Sequence, residues 1–73
     1  MKYSYSHKAD TVYISFAEKQ LGDVVRTESL DPSGHLVNLD FTDSGRLLGI
    51  EVMDASVAFA QDFLDAARQI DVD

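Results

Sequence analysis

The alternation of apolar and polar residues on both sides of a single turn constrains this chain more than any other feature. Residues 35–56, HLVNLDFTDSGRLLGIEVMDAS, have the pattern of two strands joined by a tight turn and followed by a polar hinge into a helix. Because strand side chains alternate between two faces, the turn must bring both apolar sets onto the same face. A register shifted by one residue would send one whole set to the opposite side.

The length of the turn fixes this register. A three-residue loop leaves the two apolar sets out of phase, with Leu39 opposite Gly49, whereas a two-residue or a four-residue loop keeps them in phase. We favour the four-residue loop over residues 42–45, which sets Leu39 opposite Leu48. Gly45 then closes the turn, at a place where a positive φ is required and costs glycine nothing.

The beginning of the chain repeats this pattern. Residues 2–6 alternate tyrosine with polar residues, and residues 11–16 place valine, isoleucine and phenylalanine at every second position. The four-residue polar turn between them predicts that Tyr5 lies opposite Val12. Both hairpins are therefore expected to keep their apolar side chains in phase.

Three less regular segments lie between the hairpins. Residues 17–22 form a polar connector, residues 23–30 have strand propensity without clean alternation, and residues 31–34, DPSG, combine residue types that favour a turn. We expect the middle segment to be a strand, at an edge of the sheet or crossing between the hairpins.

After Asp54 the apolar period changes to that of a helix. The pattern predicts a helix over residues 56–70 with a wide apolar sector, and Asp54 or Ser56 as its N-cap. Residues 1–73 are thus predicted to form a single α+β domain, a four- or five-stranded antiparallel meander-like sheet with one C-terminal helix packed on one face. The predicted core consists of Val12, Ile14, Phe16, Val37, Leu39, Phe41, Leu48, Ile50, Val52, Phe59, Phe63 and Ile70.

Composition limits the kinds of partner. A chain of 73 residues is near the lower limit for a single core, and the absence of cysteine removes disulfides and thiolate metal sites as supports. We therefore expect a homo-oligomer, with a dimer as the simplest case. Six basic against thirteen acidic residues give a formal charge of −7 without a basic patch. This argues against nucleic acid and anionic membranes as partners and favours a basic protein.

Motifs for catalysis or cofactor binding do not occur in the sequence. There is no GxGxxG, P-loop, HExxH, CxxC or GxSxG pattern, so we expect no enzymatic activity and no cofactor. The N-terminal residues lack the apolar run of a signal peptide, and no segment is long enough to span a bilayer. Both features predict a cytoplasmic location.

Three polar residues share the non-aliphatic face of the second hairpin: Asn38, Asp40 and Glu51. Two carboxylates on a firm sheet could transfer protons or bind a hard cation such as Ca²⁺ or Mg²⁺. The simpler interpretation, which we favour, is the solvated face of a one-sided sheet. His7 and Asp10 could likewise form a metal or acid–base pair, but we expect a solvated turn in which Asp10 accepts hydrogen bonds from nearby backbone N–H groups.

Gly49 is the most informative residue on that face. Glycine weakens a strand, so its presence indicates a bulge or the close approach of another group. That group could be an aromatic side chain such as Tyr13, which we favour, or a partner chain or a ligand. Leu47 and Met53 flank Gly49 on the same face, and two such apolar strips, one from each copy, could close a symmetric interface.

Two stretches resemble the signatures of the small bacterial domain of unknown function DUF2283. They are residues 5–16, YSHKADTVYISF, and residues 40–56, DFTDSGRLLGIEVMDAS. The chain departs from the signatures at Ser6 and Thr42, where acidic residues are usual, and at Val12, where leucine is usual. If the acidic positions serve a metal in the family, their replacement here argues against one. The resemblance implies a short antiparallel sheet with one C-terminal helix, and no established activity. Some members are thought to lie beside genes for small toxin-like proteins, which implies a partner-binding or antitoxin-like role.

The sequence therefore favours a small acidic, non-enzymatic protein-interaction module that associates with itself and holds a basic protein partner. The alternative is a small-ligand or metal-dependent enzyme that uses Asp40 and Glu51 at a dimer cleft.

Overall fold

The alternating segments form strands in the computed structural model, which describes residues 2–16, 24, 26–31 and 34–71. The described strands are β1 (Lys2–Ser6), β2 (Thr11–Ser15), β3 (Arg26–Leu30), β4 (Val37–Phe41), β5 (Leu47–Met53) and β6 (Arg68–Gln69), and the helices are α1 (Ala55–Ala58) and α2 (Gln61–Ala66). This confirms the α+β class. In these segments no helix is long and apolar enough to cross a membrane.

The strands form one sheet in the order β3-β4-β5-β2-β1-β6. Both predicted hairpins are present, and they join side by side because β2 pairs antiparallel with β5. Strand β3 lies at an edge of the sheet, which was one of the two positions predicted for it. At the other edge the chain returns after α2 and pairs β6 parallel with β1. The prediction of a four- or five-stranded, entirely antiparallel meander is therefore wrong, since this return adds a parallel strand.

The first hairpin has the predicted register. Tyr5 lies opposite Val12 and Tyr3 opposite Ile14 across the four-residue turn. Of the two irregular segments predicted beside β3, the connector 17–22 lies outside the described residues, as do the two central residues of the turn 31–34.

The second hairpin turns through three residues, so the predicted four-residue loop is wrong. The Thr42 N–H donates to the Arg46 carbonyl at 2.9 Å, and the Arg46 N–H donates to the Thr42 hydroxyl at 3.1 Å. These bonds enclose residues 43–45. Gly45 has a φ of 84°, so the expectation that it closes the turn with a positive φ is confirmed.

A register shift next to the turn restores the phase that a three-residue loop would lose. The shift lies between Asp40 and Phe41, and beyond it Leu39 lies opposite Ile50 rather than opposite Leu48. A β-bulge absorbs one extra residue on one strand, so a loop of odd length no longer forces the apolar sets apart. The phase was predicted correctly, but the residue pairs that produce it were not.

The C-terminal segment contains two short helices, so the single helix predicted over residues 56–70 is wrong. Phe59 and Ala60 have extended backbone between α1 and α2. Groups elsewhere in the fold take the carbonyls that a longer helix would use. Tyr3 Oη donates to the Phe63 carbonyl and Gln69 Nε2 to the Leu64 carbonyl, each at 3.0 Å. The chain then continues as β6.

Helix α1 is capped by the turn of the first hairpin. Asp54 occupies the N-cap position but has a φ of 53° and forms no side-chain cap bond, so its predicted role is wrong. Ser56 donates instead to Asp10, from its N–H at 3.0 Å and its hydroxyl at 2.7 Å, while the Ala55 N–H donates to the Asp10 carbonyl at 2.9 Å. Tyr5 Oη also donates to the Asp10 carboxylate at 2.9 Å. Asp10 therefore joins the hairpin to the helix instead of lying in a merely solvated turn.

The core lies between the helices and one half of the sheet. Its buried side chains are Tyr5, Val12, Val52, Ala55, Leu64 and Ala67, with Tyr3, Ile14, Phe59 and Phe63 packed against them. The rings of Tyr3, Phe63 and Phe59 form one stack, with centroid separations of 4.3 and 4.6 Å. Phe16 and Ile70 were predicted to be in the core, but 47% and 50% of their surfaces are exposed. The two helices are too short to cover them.

Replacing Asp10 with asparagine should lower the free energy of unfolding by about 1 kcal/mol near neutral pH, the usual net contribution of one hydrogen bond, because an amide nitrogen cannot accept the bond from the Ser56 hydroxyl. Asparagine tolerates the positive φ of this position, so the change removes the charge and one acceptor without straining the backbone. Chemical denaturation measures the loss.

The same variant should also weaken the acid dependence of stability. The hydrogen bonds from Ser56 hold the pKa of Asp10 below its usual value. Such a carboxyl adds stability above its unfolded-state pKa, about 3.9, and loses it as the pH falls through the folded-state pKa. Denaturation curves measured at decreasing pH should therefore lose less stability in Asp10→Asn than in the wild type. Asp43→Asn, in the exposed turn of the other hairpin, is the matched control and should retain the wild-type acid dependence.

Candidate functional site

The predicted site residues lie on the face of the sheet opposite the core. Asn38 is paired with Glu51, and Asp40 with Gly49. Glu51 is adjacent to Val52 of the buried Val12–Val52 pair, so its side chain points to the other face of the sheet. Side chains of neighbouring strands join these residues in a hydrogen-bonded group that we call the polar row. Its members are Tyr13, Thr27, Ser29, Asn38, Asp40 and Glu51.

Asp40 receives two hydrogen bonds from the adjoining strands. Thr27 Oγ1 donates to Asp40 Oδ1 at 2.8 Å, and Tyr13 Oη donates to Asp40 Oδ2 at 3.2 Å. Burial of the phenol, followed by the charge of Asp40 and this hydrogen bond, raises the pKa of Tyr13 above its usual value, and the charge of Glu51 adds to the effect. Tyr13 is therefore a protonated donor at neutral pH, and both Asp40 oxygens already accept hydrogen bonds.

Asn38 connects the second carboxylate to the edge of the sheet. Its Nδ2 donates to Glu51 Oε1 at 2.9 Å, while its Oδ1 accepts a hydrogen bond from Ser29 Oγ at 2.7 Å. Sequence reasoning identified Asn38, Asp40 and Glu51 but missed Tyr13, Thr27 and Ser29 as their partners. The alternation of residues 11–16 could have placed Tyr13 on this face, whereas the irregular β3 segment gave no comparable signal.

Tyr13 is the group that approaches Gly49. Gly49 is buried, and a Cβ atom built on it would lie 2.5 Å from Tyr13 Cζ and 2.8 Å from the Ile14 carbonyl oxygen, and would overlap the Tyr13 hydroxyl. Of the three explanations offered for a glycine within this strand, the aromatic side chain is the one observed. The position must be glycine because the tyrosine ring occupies the space of a side chain.

Leu47 and Met53 lie at the two ends of β5 and are both partly buried. Leu47 is paired with Phe41 at the bulge, and the Thr11 hydroxyl lies 3.6 Å from the Met53 sulfur. Phe41 lies on the core side of the sheet, so the register shift takes Leu47 off the face of Gly49, and the Tyr13 side chain covers Gly49 itself. The continuous apolar strip expected over Leu47, Gly49 and Met53 is therefore not formed.

A second surface, on the core side of the sheet, was not recognised from the sequence. Apolar side chains of β3, β4 and β5 lie on this face but remain partly or largely exposed, and together we call them the open apolar face. Its members are Leu30, Val37, Leu39, Phe41 and Ile50. The Arg26 guanidinium lies over the Phe41 ring, 4.4 Å from its centroid, at the border of this surface.

Neither His7 nor the carboxylates gather into a metal centre. Within the described ranges no group of three or more His, Asp or Glu residues could hold a metal ion. The His7 ring instead makes an edge contact with the Tyr5 ring, at a centroid distance of 6.3 Å.

Comparison with known proteins identifies the family but not an activity. A family model described as a protein of unknown function, DUF2283, matches residues 2–56. The chain belongs to the DUF2283 family. The matched DUF2283 region contains both hairpins and therefore the whole polar row, while α2 and β6 lie beyond it. No curated protein and no solved structure gives a match.

One departure from the DUF2283 signature has a structural reason in this chain. Ser6, where the resemblance leads one to expect aspartate, donates its hydroxyl proton to the Asp71 carboxylate at 2.9 Å. The Lys8 N–H donates to the same carboxylate, a bond that contributes most to holding the pKa of Asp71 below its usual value. An aspartate at position 6 would set two carboxylates against each other, so serine suits the attachment of the C-terminal segment to the first turn.

Replacing Gly49 with alanine should destabilise the fold by about 1–3 kcal/mol, the usual cost of overpacking. Strand propensity alone predicts the opposite sign, because alanine restricts the unfolded chain more than glycine does. Removing the ring in the double variant Tyr13→Ala/Gly49→Ala should recover part of the loss, leaving only the conflict with the Ile14 carbonyl. Equilibrium denaturation of the double-mutant cycle measures the coupling. Strictly additive losses would show that Tyr13 does not restrict position 49.

Proposed function

We propose that this chain is a cytoplasmic bacterial protein-interaction module without enzymatic activity, and that it associates with a second copy of itself. The observation that carries the proposal is the open apolar face. Leu39 and Ile50 lie opposite each other in the middle of the sheet, yet neither is buried. In a one-sided antiparallel sheet, this face normally packs against another layer.

The small size of the core supports association. Among the described residues, Leu64 and Val12 are the largest side chains that are fully buried, and the third is the small Ala55. The molecule has an accessible surface of 5109 Å², and an interface of standard size, about 800 Å² on each partner, would cover about one-sixth of it. A second copy seated beside or over the open apolar face would therefore extend a core that is small for an independent domain.

The acidic character of the chain supports a basic protein as a further partner. The formal charge of −7 favours association with a positively charged surface through steering and complementarity. An antitoxin-like role, in which the module holds a small basic protein, is one form that such binding would take.

Self-association should depend on Leu30 but not on Ile70. Both side chains are 50% exposed, but Leu30 belongs to the open apolar face, whereas Ile70 lies beyond β6 at the far edge. We expect wild type and Ile70→Glu to be dimers at tens of micromolar by light scattering, and Leu30→Glu to dissociate with a Kd raised about tenfold or more, because a carboxylate would be desolvated at the interface. A monomeric wild type would refute self-association, and equal weakening by both changes would remove the open apolar face as its cause.

The polar row supports the alternative function, a small-ligand or metal-dependent enzyme at a dimer cleft. Tyr13 donates to Asp40 and lies opposite Glu51, so one ionisable phenol and two carboxylates share a small area of a firm sheet. Oxygen ligands of this kind suit Ca²⁺ or Mg²⁺, and paired carboxylates suit proton transfer.

The double variant Asp40→Asn/Glu51→Gln separates the two functions. For an interaction module, millimolar Ca²⁺ or Mg²⁺ should change the melting temperature of the wild type and of the double variant equally. A metal-using site would stabilise the wild type alone, because ligand binding adds to the stability of the state that binds it. Asp62→Asn/Asp65→Gln, on the exposed side of α2, is the control for an unspecific loss of negative charge.

A further inference from the structure

The outer edge of β3 offers a backbone that can pair with another strand. All five residues of β3 are exposed, and within the described segments β4 is the one strand paired with it. The direction of its backbone groups follows from the neighbouring ladder. The Met53 N–H donates to the Leu36 carbonyl, so the backbone groups of Leu36 point toward β5. Because these directions alternate along a strand, the backbone groups of Asn38 and Asp40 also point toward β5, and those of residues 37, 39 and 41 point toward β3.

The register of β3 on β4 then decides which of its groups point outward. Leu30 is paired with Val37, so Leu30, Glu28 and Arg26 direct their N–H and C=O groups toward β4. Thr27 and Ser29 direct theirs to the edge. Two copies related by a two-fold axis can form antiparallel hydrogen bonds only if outward-directed residues of one strand lie opposite outward-directed residues of the other. An axis between two residues would set each outward residue opposite an inward one, so the axis must pass through a residue.

Charge selects one of these registers. An axis at Arg26 sets two guanidinium groups opposite each other, and an axis at Glu28 sets two carboxylates opposite each other. An axis at Ser29 places Glu28 against Leu30. An axis at Thr27 places Arg26 of each copy opposite Glu28 of the other, which forms two complementary pairs.

We infer that two copies pair their β3 strands antiparallel about an axis at Thr27, through the backbone groups of the two Thr27 residues and two Arg26–Glu28 pairs. The inference rests on the proposed self-association and names its geometry. Thr27 then forms a hydrogen-bonded pair with its own copy, while the charged residues occupy the closer, non-hydrogen-bonded positions.

This arrangement joins the open apolar faces of the two copies across the axis. Arg26, Glu28 and Leu30 share a face with the apolar residues of β4, because each is paired directly with one of them. The interface is isologous and uses the β3 edge of each copy once, so it closes at two copies. The charges that favour this register disfavour the neighbouring ones, which is how exposed edges commonly avoid unlimited pairing.

Cysteine cross-linking tests the axis directly, since the chain contains no cysteine. Thr27→Cys should form a disulfide-linked dimer under mild oxidation, because opposite residues of a hydrogen-bonded pair have Cα atoms about 5.5 Å apart. Ser29→Cys is the matched control. Both positions carry hydroxyls that bond the polar row, but in this register the two copies of residue 29 lie about 14 Å apart and cannot be bridged. Faster cross-linking of Ser29→Cys than of Thr27→Cys would overturn the register.

A charge exchange tests the ion pairs without cysteine. Arg26→Glu gives a strand with two negative residues and Glu28→Arg one with two positive residues, so each variant alone should dimerise about tenfold or more weakly than the wild type. An equimolar mixture should recover dimer formation, because the two strands are then complementary. Each variant also lacks the Arg26–Glu28 contact of 3.2 Å within one chain, so recovery on mixing can arise only between chains.

The outcomes distinguish this inference from the proposed function. A wild type that is dimeric by light scattering, with no Thr27→Cys cross-link and no recovery on mixing, would retain self-association and overturn the β3 interface. A monomeric wild type would overturn both. Circular dichroism of each variant confirms that it is folded before its association is compared.

Discussion

The antiparallel pairing of β2 with β5 is the constraint on which the rest of the structure depends. It joins the two hairpins into one sheet and fixes the direction of every side chain in them. Val12 opposite Val52 builds the core face, while Tyr13 opposite Glu51 builds the polar row. The close approach of Tyr13 to Gly49 arises at the same junction, two residues from Glu51 along β5. A slip of one residue here would exchange the two faces of half the sheet relative to the other half.

Alternation predicted the hairpins because it depends on neighbouring residues and on one buried face. It placed Asn38, Asp40, Gly49 and Glu51 on the face away from the core, and it ranked Tyr13 first among the groups that could approach Gly49. It failed at the second turn, where a bulge beside Phe41 allows a loop of odd length to keep the phase. A bulge leaves no pattern in the sequence when apolar residues stand at both adjacent positions, as Leu47 and Leu48 do here.

The C-terminal region could not be predicted from local pattern because distant groups determine it. The cap of α1 comes from Asp10, and the end of α2 is set by bonds from Tyr3 and Gln69. The extent of the core depends on the widths of helices and strands, which the spacing of apolar residues along the sequence does not reveal. A helix is about 10 Å wide and strands are spaced about 4.8 Å apart, so one helical layer covers two or three strands. The apolar residues of β4 were assigned to the core by their pattern, but they lie beyond that reach.

The polar row and the open edge are parts of one arrangement. Thr27 and Ser29 use their hydroxyls to bond Asp40 and Asn38, while their backbone groups point away from the sheet. These side-chain bonds attach an otherwise exposed strand to its neighbour and hold it straight, which lowers the entropy that a second copy would have to remove on pairing. On this argument the carboxylates that first suggested chemistry have a structural task. Asp40 accepts the Thr27 hydroxyl directly, and Glu51 holds the Asn38 amide that accepts the Ser29 hydroxyl, on the face that the apolar side chains do not use.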